Sequence, residues 1–250
     1  LSLVDEGYED LFNDADIENL ISRESIFYVW SNKLFYNSAR KDFETREKTG
    51  VKIEIISKNE INDVEPNINN IFYKGALFKG SYFAKNPKKI SEKLLQLFIE
   101  KGGNFKKEKI EEIKILDTNK VNIHTNENTY IYDRIVLCAG VWSKKLTDKL
   151  GENIPLASER GYHLMYPHPE NSISRPIAWQ ERGVYFTPMQ DGLRAGGVVE
   201  LGGDSNEISS KVVSYLKRAT EAVFPNINNH LSEWVGFRPS VPDSLPVIGQ

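Results

Sequence analysis

The sequence predicts a mixed α/β (α+β) protein in which helices flank a mostly antiparallel sheet. Strand-like runs rich in β-branched and aromatic residues follow one another in the second half, separated by turn residues. Longer segments elsewhere carry apolar residues at helical spacing. The strand runs are 159–166, 183–188 and 193–201, and the helical segments are 34–48, 87–101 and 209–224.

The composition is that of an ordinary globular chain. It has 250 residues, of which 40% are hydrophobic and 27% charged, enough to build a sizeable core. Lys and Arg total 32 against 35 Asp and Glu, so the net charge of −3 offers no basic surface for nucleic acid. No apolar run approaches the length of a membrane span, and no signal peptide is visible.

Cysteine and histidine usage argues against disulfide and metal chemistry. Cys138 is the single cysteine, and its apolar neighbours predict a buried structural thiol. The histidines at positions 124, 163, 168 and 230 lack the spacing of metal ligands, so no metal site is expected.

The first hundred residues alternate between helices and strands. Ser57 and Glu60 have the spacing of a capping box, which predicts a short helix that ends before Pro66. Pro87 suits a first helical turn, and Gly102 a helix end. In chain order we predict a helix within 1–22, a strand at 25–30, a helix at 34–48, strands at 51–56 and within 72–83, and a helix at 87–101.

The middle of the chain contains a small antiparallel ribbon, predicted within 105–132, and then the run D-R-I-V-L-C-A-G-V-W-S at 133–143. Its apolar part, 135–138, predicts a strand buried on both faces. Ala139 and Gly140 leave room for a backbone to approach a ligand, and Ser143 is placed to cap a helix at 144–150. Any buried strand before a tight turn would look the same.

The C-terminal run 233–249 reads E-W-V-G-F-R-P-S-V-P-D-S-L-P-V-I-G. We predict a strand at 234–237, which Pro239 ends because proline has no N–H to give, and a turn at 242–244. Arg238 lies where the strand meets the rigid corner. A guanidinium can grip a carboxylate through two parallel hydrogen bonds, but an arginine beside a turn also pairs commonly with a nearby acid such as Asp243.

Two of these runs resemble the motifs of FAD-dependent amino-acid oxidoreductases, the family of D-amino-acid oxidase, glycine and sarcosine oxidases and bacterial D-amino-acid dehydrogenase. G-F-R-P-S-V-P-D-S-L-P-V-I-G resembles the family signature G-h-R-P-x-x-P-D-x-x-P-x-I-G, where h is apolar. The apolar run followed by A-G-V-W-S resembles the point at which the FAD domain is re-entered. R-G-Y-H at 160–163 and T-P-M-Q-D-G-L-R at 187–194 are most similar to the dehydrogenase branch.

The resemblance implies roles for individual residues. Arg238 binds the substrate carboxylate, the Tyr185 hydroxyl contacts the same group, and His163 faces the flavin or the substrate. From the residues alone, a core aromatic at 185 and a hydrogen-bonded structural histidine at 163 remain open. The residues that the resemblance places beside the cofactor are Ala139, Gly140, Trp142, Gly161, Pro239, Asp243 and Gly249.

The resemblance also implies two interleaved lobes. A substrate-binding lobe would comprise 1–84 and 149–233, and an incomplete FAD-binding, Rossmann-like lobe 85–148 and 234–250. The G-x-G-x-x-G motif that holds the FAD pyrophosphate in this family is absent from the sequence. We therefore expect a fragment of a longer enzyme, inactive by itself and holding FAD weakly or not at all.

The implied function is FAD-dependent oxidative deamination of D-amino acids by hydride transfer from the α-carbon to flavin N5. A glycine- or sarcosine-type amine oxidase is the near alternative, and an amino-acid-binding module without flavin is the alternative from another class. The expected partners are a small amino-acid substrate and an electron acceptor, either oxygen or a quinone chain. We expect a cytoplasmic location, with peripheral attachment to the inner membrane face as the alternative.

Overall fold

A computed structural model describes residues 4–116, 120–167, 173–201, 203 and 205–249, with side chains from residue 7 onward. It confirms the mixed α/β class. The helices are α1 Val4–Asp14, α2 Lys33–Lys48, α3 Ile61–Val64, α4 Pro87–Glu100, α5 Ser143–Thr147 and α6 Ser210–Val223. The strands are β1 Ile21–Ser22, β2 Ile26–Trp30, β3 Ile53–Ile56, β4 Lys74–Phe78, β5 Phe83–Ala84, β6 Ile110–Ile115, β7 Val121–Thr125, β8 Thr129–Tyr132, β9 Ala157–Tyr166, β10 Ile177–Trp179, β11 Val184–Met189, β12 Gly192–Leu201 and β13 Ser232–Ser240.

The largest sheet has the strand order β13-β9-β12-β11-β10-β2-β4-β3. β10 and β11 are antiparallel, as are β11 and β12, whereas β10 and β2 are parallel. The predicted turn between β11 and β12 is present, since Met189 pairs with Gly192. The predicted ribbon is also present as the antiparallel sheet β6-β7-β8.

The two faces of the large sheet bury different clusters. Phe27, Val29 and Phe186 share one core with Leu216 and Val223 of α6. On the other face, Trp30 and Phe78 pack with Phe43 of α2. Alternate residues of β2 therefore serve opposite faces, as the period of a strand requires. The capping box at Ser57 and Glu60 is formed as predicted.

The chain divides into two units. Unit 1 consists of Leu1–Gly103, Tyr162–Val198 and Glu207–Val235, and unit 2 of Asn104–Gly161, Val199–Asn206 and Gly236–Gln250. These boundaries differ from those expected for the two lobes, because α4 lies in unit 1 and 149–161 lies in unit 2. Strands β9, β12 and β13 each contain residues of both units. The functions assigned to the lobes stay predictions.

The structure corrects the prediction for 135–138. This run forms no strand, and Val136 is 84% exposed. Ile135 and Leu137 pack against Ile113, Val121 and Ile123, so only alternate residues of the extended run are covered. Cys138 falls on the uncovered side and is an exposed thiol, not the predicted buried one.

Two smaller predictions about element ends were also wrong. Pro239 does not end its strand, since β13 continues to Ser240. β13 is the outermost strand of its sheet, a position where a missing N–H is tolerated. Ser143 is the first residue of α5 and not its side-chain cap. Within the described part of the chain, no helix combines the length and apolar character that crossing a bilayer requires.

Candidate functional site

One face of the large sheet in unit 1 alternates small residues with tyrosines across neighbouring strands. Tyr185 of β11 pairs with Gly196 of β12 on one side and with Ala178 of β10 on the other. Ala178 in turn pairs with Tyr28 of β2, which pairs with Ala76 of β4. Residues paired across a ladder project from the same face, so the two tyrosines stand on one surface with only a methyl group between them.

Glycine residues make room for Tyr185 on this surface. Its side chain is 39% exposed. Gly197 has φ +118°, and a Cβ built there would overlap the carbonyl oxygen of Gly183 and come within 2.8 Å of the Tyr185 ring. A Cβ at Gly196 would come within 2.9 Å of the His163 Cβ. At these two positions the absence of a glycine side chain leaves space that Tyr185 and His163 occupy.

His163 lies next to Gly196 and stacks on Trp234. The two ring centroids are 4.7 Å apart with an interplanar angle of 21°. Burial, together with the nearby charge of Arg194, lowers the pKa of His163 to about 4. The imidazole is therefore neutral at neutral pH, and it can accept or donate a hydrogen bond without bringing a charge to the surface.

Arg194 provides a cation on the same sheet surface, because it pairs with Thr187 two positions along from the Tyr185–Gly196 pair. Its Nη2 lies 2.8 Å from the sulfur of Met189. Burial lowers the pKa of its guanidinium below the usual value. Among the described residues no carboxylate pairs with it, so this charge is partly desolvated without an acidic neighbour.

In unit 2, Arg238 is an exposed residue near the end of β13. A Cβ built at Gly161 would lie 3.4 Å from its Nε, so Gly161 and Arg238 are neighbours. Asp243 instead accepts a hydrogen bond of 3.1 Å from the backbone N–H of Leu245. No ion pair joins Arg238 to Asp243 or to another acid in the described residues, which leaves its guanidinium available to a ligand.

Most of the expected cofactor residues of unit 2 are accessible, although Gly161 is buried. Gly140 has φ +57°, and a Cβ built there meets nothing within 4 Å. Trp142 is 57% exposed and makes an edge contact with Phe237, with ring centroids 6.0 Å apart. Pro239, Asp243 and Gly249 are exposed as well. An open glycine backbone beside an exposed aromatic ring fits part of a large planar cofactor.

The structure thus brings the predicted residues together in two groups: Tyr185 and His163 on the sheet surface of unit 1, and Gly161 and Arg238 in unit 2. Sequence reasoning gave no role to Tyr28, Trp234 or Arg194 on the unit 1 surface. Strand alternation could have placed Arg194 on the face of Tyr185. The register that joins Tyr28 to Tyr185 passes through the short strand β10, which the sequence did not reveal.

Curated relatives carry names from amino-acid oxidation. The D-amino-acid oxidase of Bradyrhizobium diazoefficiens is 26% identical over 247 residues, covering 97% of this chain and 58% of that protein. The D-amino acid dehydrogenase of Vibrio vulnificus is 24% identical over 253 residues, covering 98% and 60%. The chain therefore spans somewhat more than half the length of these relatives.

Solved structures share the fold. The crystal structure of glycine oxidase from Geobacillus kaustophilus matches with a TM-score of 0.87 at 16% identity, covering 100% of this chain and 68% of that one. L-proline dehydrogenase from P. horikoshii matches with a TM-score of 0.82 at 16% identity, covering 98% and 67%. The family model described as DAO, FAD dependent oxidoreductase, matches residues 4–250. The chain therefore belongs to the DAO family of FAD-dependent oxidoreductases.

Proposed function

We propose that the protein carrying this chain oxidises D-amino acids with FAD as its cofactor, and that Arg238 is the principal ligand of the substrate carboxylate. The observation that carries the proposal is the state of Arg238, an exposed guanidinium in the family motif with no acid partner among the described residues. A guanidinium with free N–H groups is suited to a carboxylate, which it can bind through two parallel hydrogen bonds.

Tyr185 is proposed as a second ligand of the carboxylate. Its hydroxyl can donate one hydrogen bond, and its exposed position on the unit 1 surface leaves it accessible. A hydrogen bond from Tyr185 would help to fix the orientation of the α-carbon and its C–H bond, which is what a hydride transfer requires of the protein. Bound FAD supplies the two-electron acceptor for that hydride.

His163, the histidine on the same surface as Tyr185, is no strong general base. His163 has a pKa of about 4, so at neutral pH it is a weak proton acceptor. The substrate amine must therefore bind in its neutral form, or lose its proton to water on binding. The loss of the α-hydrogen as hydride from the neutral amine leaves an iminium ion, which water hydrolyses to the keto acid and ammonium.

The relatives' names support D-amino acids as substrates, since both an oxidase and a dehydrogenase for D-amino acids match nearly the whole chain. The likeness to glycine oxidase is one of fold. A screen of the intact flavoprotein with D-amino acids, their L-enantiomers, glycine and sarcosine separates these classes. Parallel assays with oxygen and with a quinone identify the electron acceptor. Absence of both flavin and turnover would favour a non-catalytic binding module.

Replacement of Arg238 tests the proposal directly. We expect Arg238→Ala to raise KM for the preferred D-amino acid about 30-fold. Truncating one partner of a charged hydrogen-bonded pair costs about 2–5 kcal/mol, and the lower end of that range applies because Arg238 is exposed. Arg238→Lys keeps the charge but not the planar fork, so it should recover part of the loss. Steady-state kinetics of the intact flavoprotein provide the measurement.

Arg134→Ala serves as the matched control, since Arg134 is another exposed arginine of unit 2. It removes the same charge at a position with no proposed role, so its KM should stay within about twofold of the wild type. Equal kinetics in the wild type and in Arg238→Ala would refute the assignment.

A further inference from the structure

The sheet surface of unit 1 holds two tyrosines whose hydroxyl groups can meet. Tyr28 and Tyr185 are separated by one strand, which corresponds to about 10 Å between their backbones. The residue between them, Ala178, is fully buried and carries only a methyl group. Two phenol rings that lean toward each other over an alanine can span that distance, whereas a larger residue at 178 would keep them apart.

The pKa of Tyr28 is in keeping with this geometry, although no hydrogen bond joins the two hydroxyl groups in the structure without a ligand. Burial raises the pKa of Tyr28, and the neighbouring Tyr185 raises it further. The Tyr28 ring itself is fixed by its own neighbours. It lies 4.4 Å from the Phe78 ring and 6.3 Å from the Trp30 ring, measured between centroids. Tyr28 is thus the more firmly packed member, and Tyr185 the more exposed one.

We propose that Tyr28 is a positioning residue, which donates a hydrogen bond to the Tyr185 hydroxyl and so directs the Tyr185 proton toward the substrate carboxylate. A phenol hydroxyl has one proton to donate and can also accept. When the Tyr185 hydroxyl donates its hydrogen bond to a carboxylate oxygen, its own oxygen can still accept one. Tyr28 is placed to be the donor of that second hydrogen bond. Hydrogen bonds in such a chain polarise one another, so each strengthens the next.

This inference rests on the proposed role of Tyr185. It adds a requirement that the family motifs do not contain, since Tyr28 lies in a strand far from them in sequence. It also gives a reason for the pattern of small residues in this row. Ala76 leaves room on the outer side of Tyr28, and Ala178 leaves room between the two tyrosines.

The test is a double-mutant cycle on the FAD-loaded protein that carries this chain. Tyr28→Phe removes one oxygen atom and keeps the ring against Phe78. We expect it to weaken binding of a D-amino acid about three- to tenfold, the size of one hydrogen bond, with kcat within about twofold. Binding of benzoate, a carboxylate with no amine to oxidise, should weaken equally by calorimetry. In the Tyr185→Phe background, Tyr28→Phe should cause no further loss, because Tyr28 acts only through Tyr185.

Tyr215→Phe is the matched control. The Tyr215 hydroxyl donates to the carbonyl oxygen of Arg182 at 2.8 Å, away from this row, so its loss should leave benzoate affinity unchanged. The cycle separates the possible failures. If Tyr185→Phe leaves benzoate binding unchanged, the proposed role of Tyr185 is wrong and the inference falls with it. If Tyr185→Phe weakens binding but Tyr28→Phe does not, or if the two losses simply add, only the inference is overturned.

Discussion

The imidazole of His163 couples the stability of unit 1 to pH. Its pKa is about 4 in the folded protein, below the usual value of 6.5, because burial disfavours the charged form. Between these two values the unfolded chain binds a proton that the folded chain does not, so stability falls as the pH is lowered. A shift of this size corresponds to about 3 kcal/mol for a fully buried group, and partial exposure reduces it to about 1–2 kcal/mol.

We therefore expect His163→Gln to lose less stability than the wild type between pH 6.5 and pH 4, by about 1–2 kcal/mol. Urea unfolding at a series of pH values measures the difference, and the carboxylates common to both proteins cancel. His163→Phe should show the same pH dependence as His163→Gln, although its absolute stability will differ. If the free energy of unfolding changes with pH in the same way in the wild type and both variants, the depressed pKa of His163 is contradicted.

At the same scale, the sequence could single out Arg238, Tyr185 and His163 as candidates because each lies in a recognisable local motif, and their roles stay predictions. It could not single out Tyr28 or Trp234, since their contacts come from strand register and ring stacking between distant segments. The sequence shows an arginine at position 194, but it does not show that this guanidinium is partly buried without an acidic partner among the described residues. Desolvation without an acidic partner depends on packing, which a single sequence does not report.

At the scale of one element, strand β12 depends on Gly197. We expect Gly197→Ala to destabilise the protein by about 1–3 kcal/mol, because its φ of +118° is unfavourable for any residue with a Cβ. The new methyl group would also displace the Tyr185 ring, which a Cβ approaches at 2.8 Å. The free energy of unfolding, measured with denaturant, and the affinity for benzoate should therefore both fall.

Gly183→Ala separates these two effects. Gly183 also has a positive φ, of +61°, but a Cβ there meets nothing within 4 Å. This variant should lose some stability and keep benzoate affinity. Equal losses of affinity in the two variants would show that backbone strain, and not contact with Tyr185, determines the effect.

The sequence predicted helices and strands well where local patterns determine them. It predicted them poorly where neighbouring strands of the folded protein determine them. The long helices and the strands of the C-terminal half appear close to their predicted positions, since periodicity and turn residues are local signals. The run 135–138 has the apolar character of a buried strand but lacks a partner strand among the described residues. Pro239 was misjudged because a proline on an edge strand breaks no ladder, and edge position is a property of the whole sheet.

At the scale of the whole molecule, the two compact units comprise other segments than the two lobes that the sequence predicts, and the lobes stay a prediction. Helix α4 follows the end of the expected first segment, yet it packs on α1 through Ile90, Leu94 and Leu97. The residues it covers there are Phe12, Ala15, Ile17 and Leu20. Membership of a unit is set by such long-range contacts, and an amphipathic helix does not reveal in its own sequence which partner its apolar face will meet.

The last prediction concerns the cofactor. We expect the 250-residue chain, expressed by itself, to purify with much less than one FAD per chain. The pyrophosphate of a dinucleotide is bound where a glycine-rich turn opens a helix, and the sequence contains no G-x-G-x-x-G motif. Gly140 and Trp142 offer an open backbone and an exposed ring, which can contact a cofactor but cannot replace those phosphate contacts.

Flavin absorbance relative to protein absorbance, measured after incubation with excess FAD and desalting, gives the occupancy. Gly140→Val is the informative companion variant, because a Cβ at this position meets no protein atom within 4 Å, although its φ of +57° costs the folded chain some stability, as at Gly183. Stoichiometric flavin in the wild-type chain that is lost in Gly140→Val would contradict the expected weakness. It would mean that unit 2 binds the cofactor chiefly through its ring system, so that the phosphate-binding turn is needed for something other than retention.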